Sequence, residues 1–183
     1  WLPLGSLITY IGNRRGYPMI TLLLLLAVIF SAGNDNHAIR LADPAPKRVH
    51  LDTAFSDWLD ETTQERGTHR DLVLVSTAGG GIRAAYWTAT VLGELQKIEH
   101  FENVLFAISG VSGGSVGASV YRALLADGVP RETLQQKAQA VLSHDFLGPV
   151  TTALLYPDLT QRFLPNLDLM DRGKALEQAW EVA

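Results

Sequence analysis

Twice in close succession the chain sets a short apolar run, a glycine cluster and a helix-forming stretch in a row, and few folds accept that repeat. Asp71-Leu-Val-Leu-Val-Ser76 is rich in apolar and β-branched residues, Thr77-Ala-Gly-Gly-Gly81 breaks it, and Ile82 to His100 reads as a helix. The pattern returns with Val104-Leu-Phe-Ala-Ile-Ser109, the turn Gly110-Val-Ser-Gly-Gly114, and a small-residue-rich helix from Ser115 to Leu125. Neither strand alternates polar with apolar residues, so both faces of the sheet are expected to be covered, and the right-handed crossover rule sets the strands parallel. The expected class is therefore α/β, a three-layer α/β/α arrangement around a mainly parallel sheet. Both glycine turns then open at the same carboxyl edge, where such sheets place their sites.

The second turn fits G-x-S-x-G, the nucleophile elbow. A serine on a sharp strand-to-helix turn projects its hydroxyl above the sheet, and Gly110, Gly113 and Gly114 leave room for backbone and helix to approach. Ser112 is the candidate nucleophile; Ser109 and Ser115 lack the paired glycines. The plainer alternative is a glycine-rich helix start that Ser112 merely caps. In the first turn, Gly79, Gly80 and Gly81 offer consecutive backbone N–H groups at a helix N-terminus, suited to an anion or a developing oxyanion, and Arg83 adds a positive charge. The same residues fit G-x-G-x-x-A of the dinucleotide fold. That reading needs an acid at the end of the next strand, which instead ends Ala107-Ile-Ser109. A phosphate-binding Walker loop fails for want of Gly-Lys-Ser/Thr.

Composition narrows the classes further. With 47% hydrophobic residues, 19% charged and a net charge of −4, the chain is neither disordered nor suited to gripping a nucleic-acid backbone. No cysteine means no disulfide framework, thiolate metal site or cysteine nucleophile. His37, His50, His69 and His100 show no i, i+4 pairing or Glu partner typical of a metal site, so no metal and no organic cofactor is expected.

A Gly-Gly-Gly-x-Arg turn after one strand and a G-x-S-G-G elbow after the next resembles the patatin-like phospholipases and their cytosolic phospholipase A2 relatives, closely from Asp71 to Leu125. An ordinary α/β-hydrolase fits less well, since it needs serine, acid and histidine in that order and only His144 follows Ser112. The resemblance implies that Ser112 attacks a lipid ester. It further implies that the amides of Gly79, Gly80 and Gly81, with Gly113, hold the oxyanion, and that Arg83 assists through charge or a lipid phosphate. It also implies a Ser-Asp dyad in place of a triad. The family's Asp-Gly or Asp-Ala turn has one counterpart after Ser112, Asp127-Gly128, which looks like a helix end; Asp171 looks like the cap of the last helix. The dyad aspartate is therefore expected beyond Ala183, and residues 1–183 alone are expected to be inactive.

Upstream, 19 uncharged residues separate Arg15 from Asp35, and as a helix they reach about 28 Å, close to a bilayer's hydrocarbon thickness. The dense apolar part, Met19 to Ala32, is short enough that a buried core helix or a signal-peptide core also fits. Residues 1–34 are read as a membrane region: the end of one span (Trp1 to Asn13), a cytoplasmic loop at Arg14-Arg15, and a second span at about 17–33. The catalytic domain then faces the opposite side, which in a bacterial inner membrane is the periplasm. Residues 35–50, with Pro44 and Pro46, make a linker, and 51–183 the N-terminal part of the hydrolase domain. Leu51, Ala54, Phe55, Trp58 and Leu59 describe an amphipathic helix lying on that domain.

Beyond Leu125, Pro130 to His144 reads as a proline-opened helix. Phe146, Leu147, Leu154, Leu155, Tyr156, Phe163 and Leu164 are read as core in preference to an acyl-chain channel. The expectation is a membrane-anchored lipid acyl hydrolase whose partners are the bilayer and a phospholipid or other lipid ester. Two rivals use the same turns: a tethered module that binds a lipid headgroup without catalysis, and a serine acyltransferase that passes the acyl group to an alcohol instead of water. The oligomeric state is not legible.

Overall fold

The structure, a computed structural model, describes residues 1–31, 47–62, 71–165 and 171–183. Most of the expected linker lies outside the described residues. The chain groups into two compact units, taken here in turn.

The unit that carries both glycine turns is built on two strands, β1 (Val73–Thr77) and β2 (Leu105–Gly110), paired in parallel. Their register runs from Leu74 opposite Ala107 to Thr77 opposite Gly110, after an irregularity at Val73/Leu74. Helix α3 (Leu51–Thr62) precedes β1, α4 (Gly81–Leu95) and the short α5 (Phe101–Val104) join the strands, and α6 (Gly113–Ala126) and α7 (Arg131–Leu142) follow. Each strand feeds a helix through its glycine turn, so the two turns lie side by side at the carboxyl edge, as the sequence repeat requires. Leu92 of α4, Tyr121 of α6 and Leu134 of α7 form the buried core, with Val75, Leu105 and Ile108 of the strands against them. Cutting Leu92 or Leu134 back to alanine would cost about 2–5 kcal/mol.

Small residues set how closely these helices approach. A side chain on Gly117 of α6 would strike the carbonyl oxygen of Ala85 on α4, and one on Gly93 would lie 2.8 Å from the Gln135 Cα on α7. The opposite side of the strand pair differs from expectation: Leu74 is 64% exposed, and Ser76, Ala107 and Ser109 are also open. Among the described residues one sheet face is covered by α4 and α6, and further strands or a third layer are not seen. The amphipathic helix α3 lies on this unit, with Phe55 and Trp58 packing their rings 5.3 and 5.5 Å from that of Phe106.

Helix α4 stops at Leu95, short of the expected His100: the Lys97 and Ile98 amides turn back onto the Glu94 and Leu95 carbonyls, three residues away, and the left-handed His100 (φ 64°) then launches α5 into β2. A polar chain secures this end. The Tyr121 hydroxyl donates to Gln96 Oε1 at 2.6 Å, Gln96 Nε2 donates to Glu102 Oε2 at 2.9 Å, and the Arg131 guanidinium donates to Glu102 Oε1. Tyr121 and Gln96 are almost wholly buried, so each satisfies the polar atom the other brings inside. Burial pushes the Tyr121 hydroxyl up to about 12, outweighing Arg122, which pulls it down, while the Glu102 charge adds to the rise.

The other unit holds α1 (Leu2–Arg15), α2 (Met19–Ser31), α8 (Leu147–Ala153), a π-helical turn (Leu154–Asp158), α9 (Leu159–Gln161) and α10 (Arg172–Val182). Helix α2 has no buried residue and lies inside the expected 17–33 span, of which residues 32 and 33 are outside the described set. No single described helix is long and apolar enough to cross a membrane. Helices α1 and α2 meet that standard only as a pair, bent by 119° at the break between them. The wide turn at Leu154–Asp158 contains Pro157, whose missing N–H cannot continue the α-helical ladder. Asp171 caps α10 as expected, accepting the Lys174 amide at 2.7 Å, and the buried Asp158 pairs with Arg172 at 2.9 Å. Of the apolar residues read as core here, Phe146 stacks on Trp180 at 4.1 Å. Leu147, Leu154, Leu155, Tyr156 and Leu164 are exposed, which corrects that reading for them: short helical segments leave one side of each turn uncovered.

Candidate active site

Ser112 sits between β2 and α6 with φ 51° and ψ −122°. A left-handed φ on a residue with a Cβ is sterically costly, and this ψ lies far from the small left-handed helical well, so the backbone here stores about 1–3 kcal/mol. The conformation has a consequence for the side chain. Ser112 occupies the N-cap position of α6, yet its hydroxyl makes no capping hydrogen bond. The capping alternative, under which a serine would accept from a first-turn amide, does not describe this residue. Ser112 is exposed, and its Oγ has no hydrogen-bond partner among the described residues, a carboxylate included.

The first turn lies against it. A Cβ on Gly79 would be 3.4 Å from the Ser112 Cβ and 3.5 Å from the Val111 carbonyl oxygen, while the Val111 amide donates to the Thr77 carbonyl at 3.1 Å. Gly81 takes φ 61°, a conformation that costs glycine little, and this lets α4 begin immediately after the turn. Gly113, the first residue of α6, faces the Gly81 carbonyl so closely that no side chain fits between them. The N-terminal ends of α4 and α6 therefore converge beside Ser112. The amides of Gly79, Gly80, Gly81 and Gly113 donate to no backbone carbonyl among the described residues, and both helix dipoles turn their positive ends toward the same place. That is an arrangement suited to an oxyanion or another small anion.

Gly110 and Gly114, the outer elbow glycines, close on Thr77. Side chains there would come within 2.9 and 2.5 Å of the Thr77 Oγ1. That hydroxyl is buried and without a hydrogen-bond partner, a feature no local sequence pattern announces. Arg83 stands exposed on the first turn of α4 with no ion-pair partner among the described residues. A groove of about 610 Å³ is lined by Ala78, Gly79 and Gly80 of the turn and by Arg83, Trp87, Val91 and Leu92 of α4, with Ser76, Thr77 and Thr88 beside them. Among the described residues no group of three or more His, Asp or Glu side chains is placed to hold a metal ion. Asp127 ends α6 ahead of Gly128, whose φ is 72°, so it serves as a helix terminus as expected.

Ser112, Gly79, Gly80, Gly81, Gly110, Gly113 and Gly114 are thus brought together, with Arg83 two residues beyond Gly81 in the first turn of α4. No family model, curated protein or solved structure matches the chain.

Proposed function

We propose that this chain supplies the nucleophile and oxyanion cradle of a membrane-anchored lipid acyl hydrolase similar to the patatin-like phospholipases. The observation that carries the reading is Ser112 itself: a strained, exposed serine whose hydroxyl is withheld from its helix and set beside unpaired amides. Strain of this kind is costly to fold and is expected where geometry serves chemistry. In the proposed reaction Ser112 Oγ attacks the ester carbonyl carbon and passes its proton to the aspartate of a Ser-Asp dyad. The carbonyl oxygen becomes the oxyanion held by the amides of Gly79, Gly80, Gly81 and Gly113. Collapse expels the alcohol, which takes the proton, and water then releases the acyl group from Ser112 by the same steps. No metal or organic cofactor takes part. The uncharged α2, none of whose residues is buried, is proposed to anchor the enzyme at its substrate together with α1.

One observation favours a second reading. Arg83, with no ion-pair partner among the described residues, beside helix-terminal amides that donate to no described carbonyl, would also hold an anionic headgroup without any acyl chemistry. Labelling full-length protein in membranes with a fluorophosphonate separates the two. A covalent adduct found by intact mass and lost in Ser112→Ala supports the hydrolase. Folded protein that gives no adduct would leave the headgroup-binding module.

A further inference from the structure

We infer that Thr77, the last residue of β1, is a positioning residue for Ser112, and that its hydroxyl oxygen, in preference to its methyl group, does the positioning. The inference rests on the hydrolase reading above and adds to it a residue that acts through the elbow. Thr77 holds that elbow on both flanks. Its carbonyl oxygen accepts from the amide of Val111, the residue before Ser112, at 3.1 Å. Its Oγ1 fills the space that side chains on Gly110 and Gly114 would need, 2.9 and 2.5 Å from their Cβ positions. Further along the same strand end comes Gly79, whose own Cβ position is 3.4 Å from the Ser112 Cβ. The nucleophile and the first oxyanion amide are therefore joined through Thr77.

The hydroxyl is the unexpected part. Oγ1 is buried and has no hydrogen-bond partner. A buried hydroxyl of this kind costs stability, and an apolar group of the same shape is ordinarily as good or better, so the oxygen needs a reason in the site. Size supplies one: a methyl group is wider than an oxygen, and at this position it would press on Gly110 and Gly114 and lift the elbow. Polarity supplies another. The Ser115 amide, in the first turn of α6, lies 2.7 Å from the same Gly110 Cβ position and donates to no backbone carbonyl among the described residues. Ser112 withholds its own oxygen from that helix end, so the partial negative charge of Thr77 Oγ1 faces the positive end of α6 in its stead.

The test labels full-length protein in membranes with a fluorophosphonate and reads the labelled fraction, the maximal rate kinact and the half-saturating concentration KI. Thr77→Ser keeps the oxygen, Thr77→Val puts a methyl group in its place, and Thr77→Ala removes it. Misplacement of Ser112 should lower kinact at least about tenfold in Thr77→Val and Thr77→Ala, with KI unchanged, while Thr77→Ser stays within about threefold of wild type. A smaller labelled fraction at the wild-type rate would mean that Thr77 serves folding alone, and would overturn the inference. So would Thr77→Ser labelling as slowly as Thr77→Ala, because the methyl would then be the group that matters. Should Thr77→Val fail to fold, Thr77→Ser against Thr77→Ala decides on the same criterion. Wild-type rates in every variant would remove the role of Thr77 and leave the hydrolase standing, whereas folded wild type that takes no label would remove both.

Discussion

The Gly113 Cα and the Gly81 carbonyl oxygen meet with no space for a methyl group between them, joining the start of α6 to the start of α4. The nucleophile turn and the oxyanion turn therefore hold one another in place. Both partners are backbone, so neither can swing aside to accept a larger neighbour.

Gly113→Ala should consequently force the two turns apart. Overpacking of this kind costs about 1–3 kcal/mol. A displacement near 1 Å at the reacting atoms lowers the fluorophosphonate labelling rate of Ser112 by about 100-fold. Thermal denaturation and labelling kinetics on the same preparation check both halves; unchanged labelling would show that the contact does not align the site.

Strain at Ser112 predicts a difference between two inactive variants. Ser112→Ala keeps a Cβ at φ 51°, whereas Ser112→Gly removes it. The relief, about 1–3 kcal/mol, exceeds glycine's added unfolded-state freedom of about 0.5–1 kcal/mol. Ser112→Gly should therefore unfold at a higher denaturant midpoint than Ser112→Ala. Coincident midpoints would mean that the elbow is relaxed.

Alkaline stability should report on Tyr121. Its folded-state pKa is raised to about 12 by burial, so between pH 10 and pH 12 the folded chain keeps a proton that the unfolded chain has lost. The stabilisation is complete below pH 10 and is lost as pH climbs toward 12. Tyr121→Phe should abolish that component of the decline and cost about 1 kcal/mol at neutral pH, because Gln96 Oε1 loses its buried donor. Denaturation midpoints measured across this pH window decide it; a decline of equal size in the variant would refute the assignment.

Local pattern carried much of this unit. The runs at 71–76 and 104–109 became β1 and β2 within a residue or two, and the glycine clusters placed both turns at one edge because a strand followed by a helix leaves few alternatives. The proline-opened α7, the α10 cap at Asp171 and the α6 end at Asp127 were legible for the same reason: caps and breakers act over three or four residues. What escaped was non-local. The Tyr121–Gln96–Glu102–Arg131 chain joins residues far apart in sequence, and Gln96 has no property that marks it as buried. Leu74 reads as a core strand residue whether or not anything covers it. The early end of α4 lies in the three-residue turns that follow Leu95, ahead of the left-handed His100, and an unbroken helical pattern conceals both. At the site, the elbow serine and the amide donors were readable from glycine spacing. The orphan hydroxyl of Thr77 and the groove beside α4 required three dimensions.

The polar chain at the far end of α4 bears on the site from a distance. Gln96, just past the last turn of that helix, is tied to α6 through Tyr121 and to α5 and α7 through Glu102 and Arg131, while the first turn abuts Gly113. Helix α4 is a strut braced at both ends, unable to slide along its own axis without breaking a buried hydrogen bond. The height of the Gly81 amide above the sheet is thus set in part by a tyrosine some four helical turns below it.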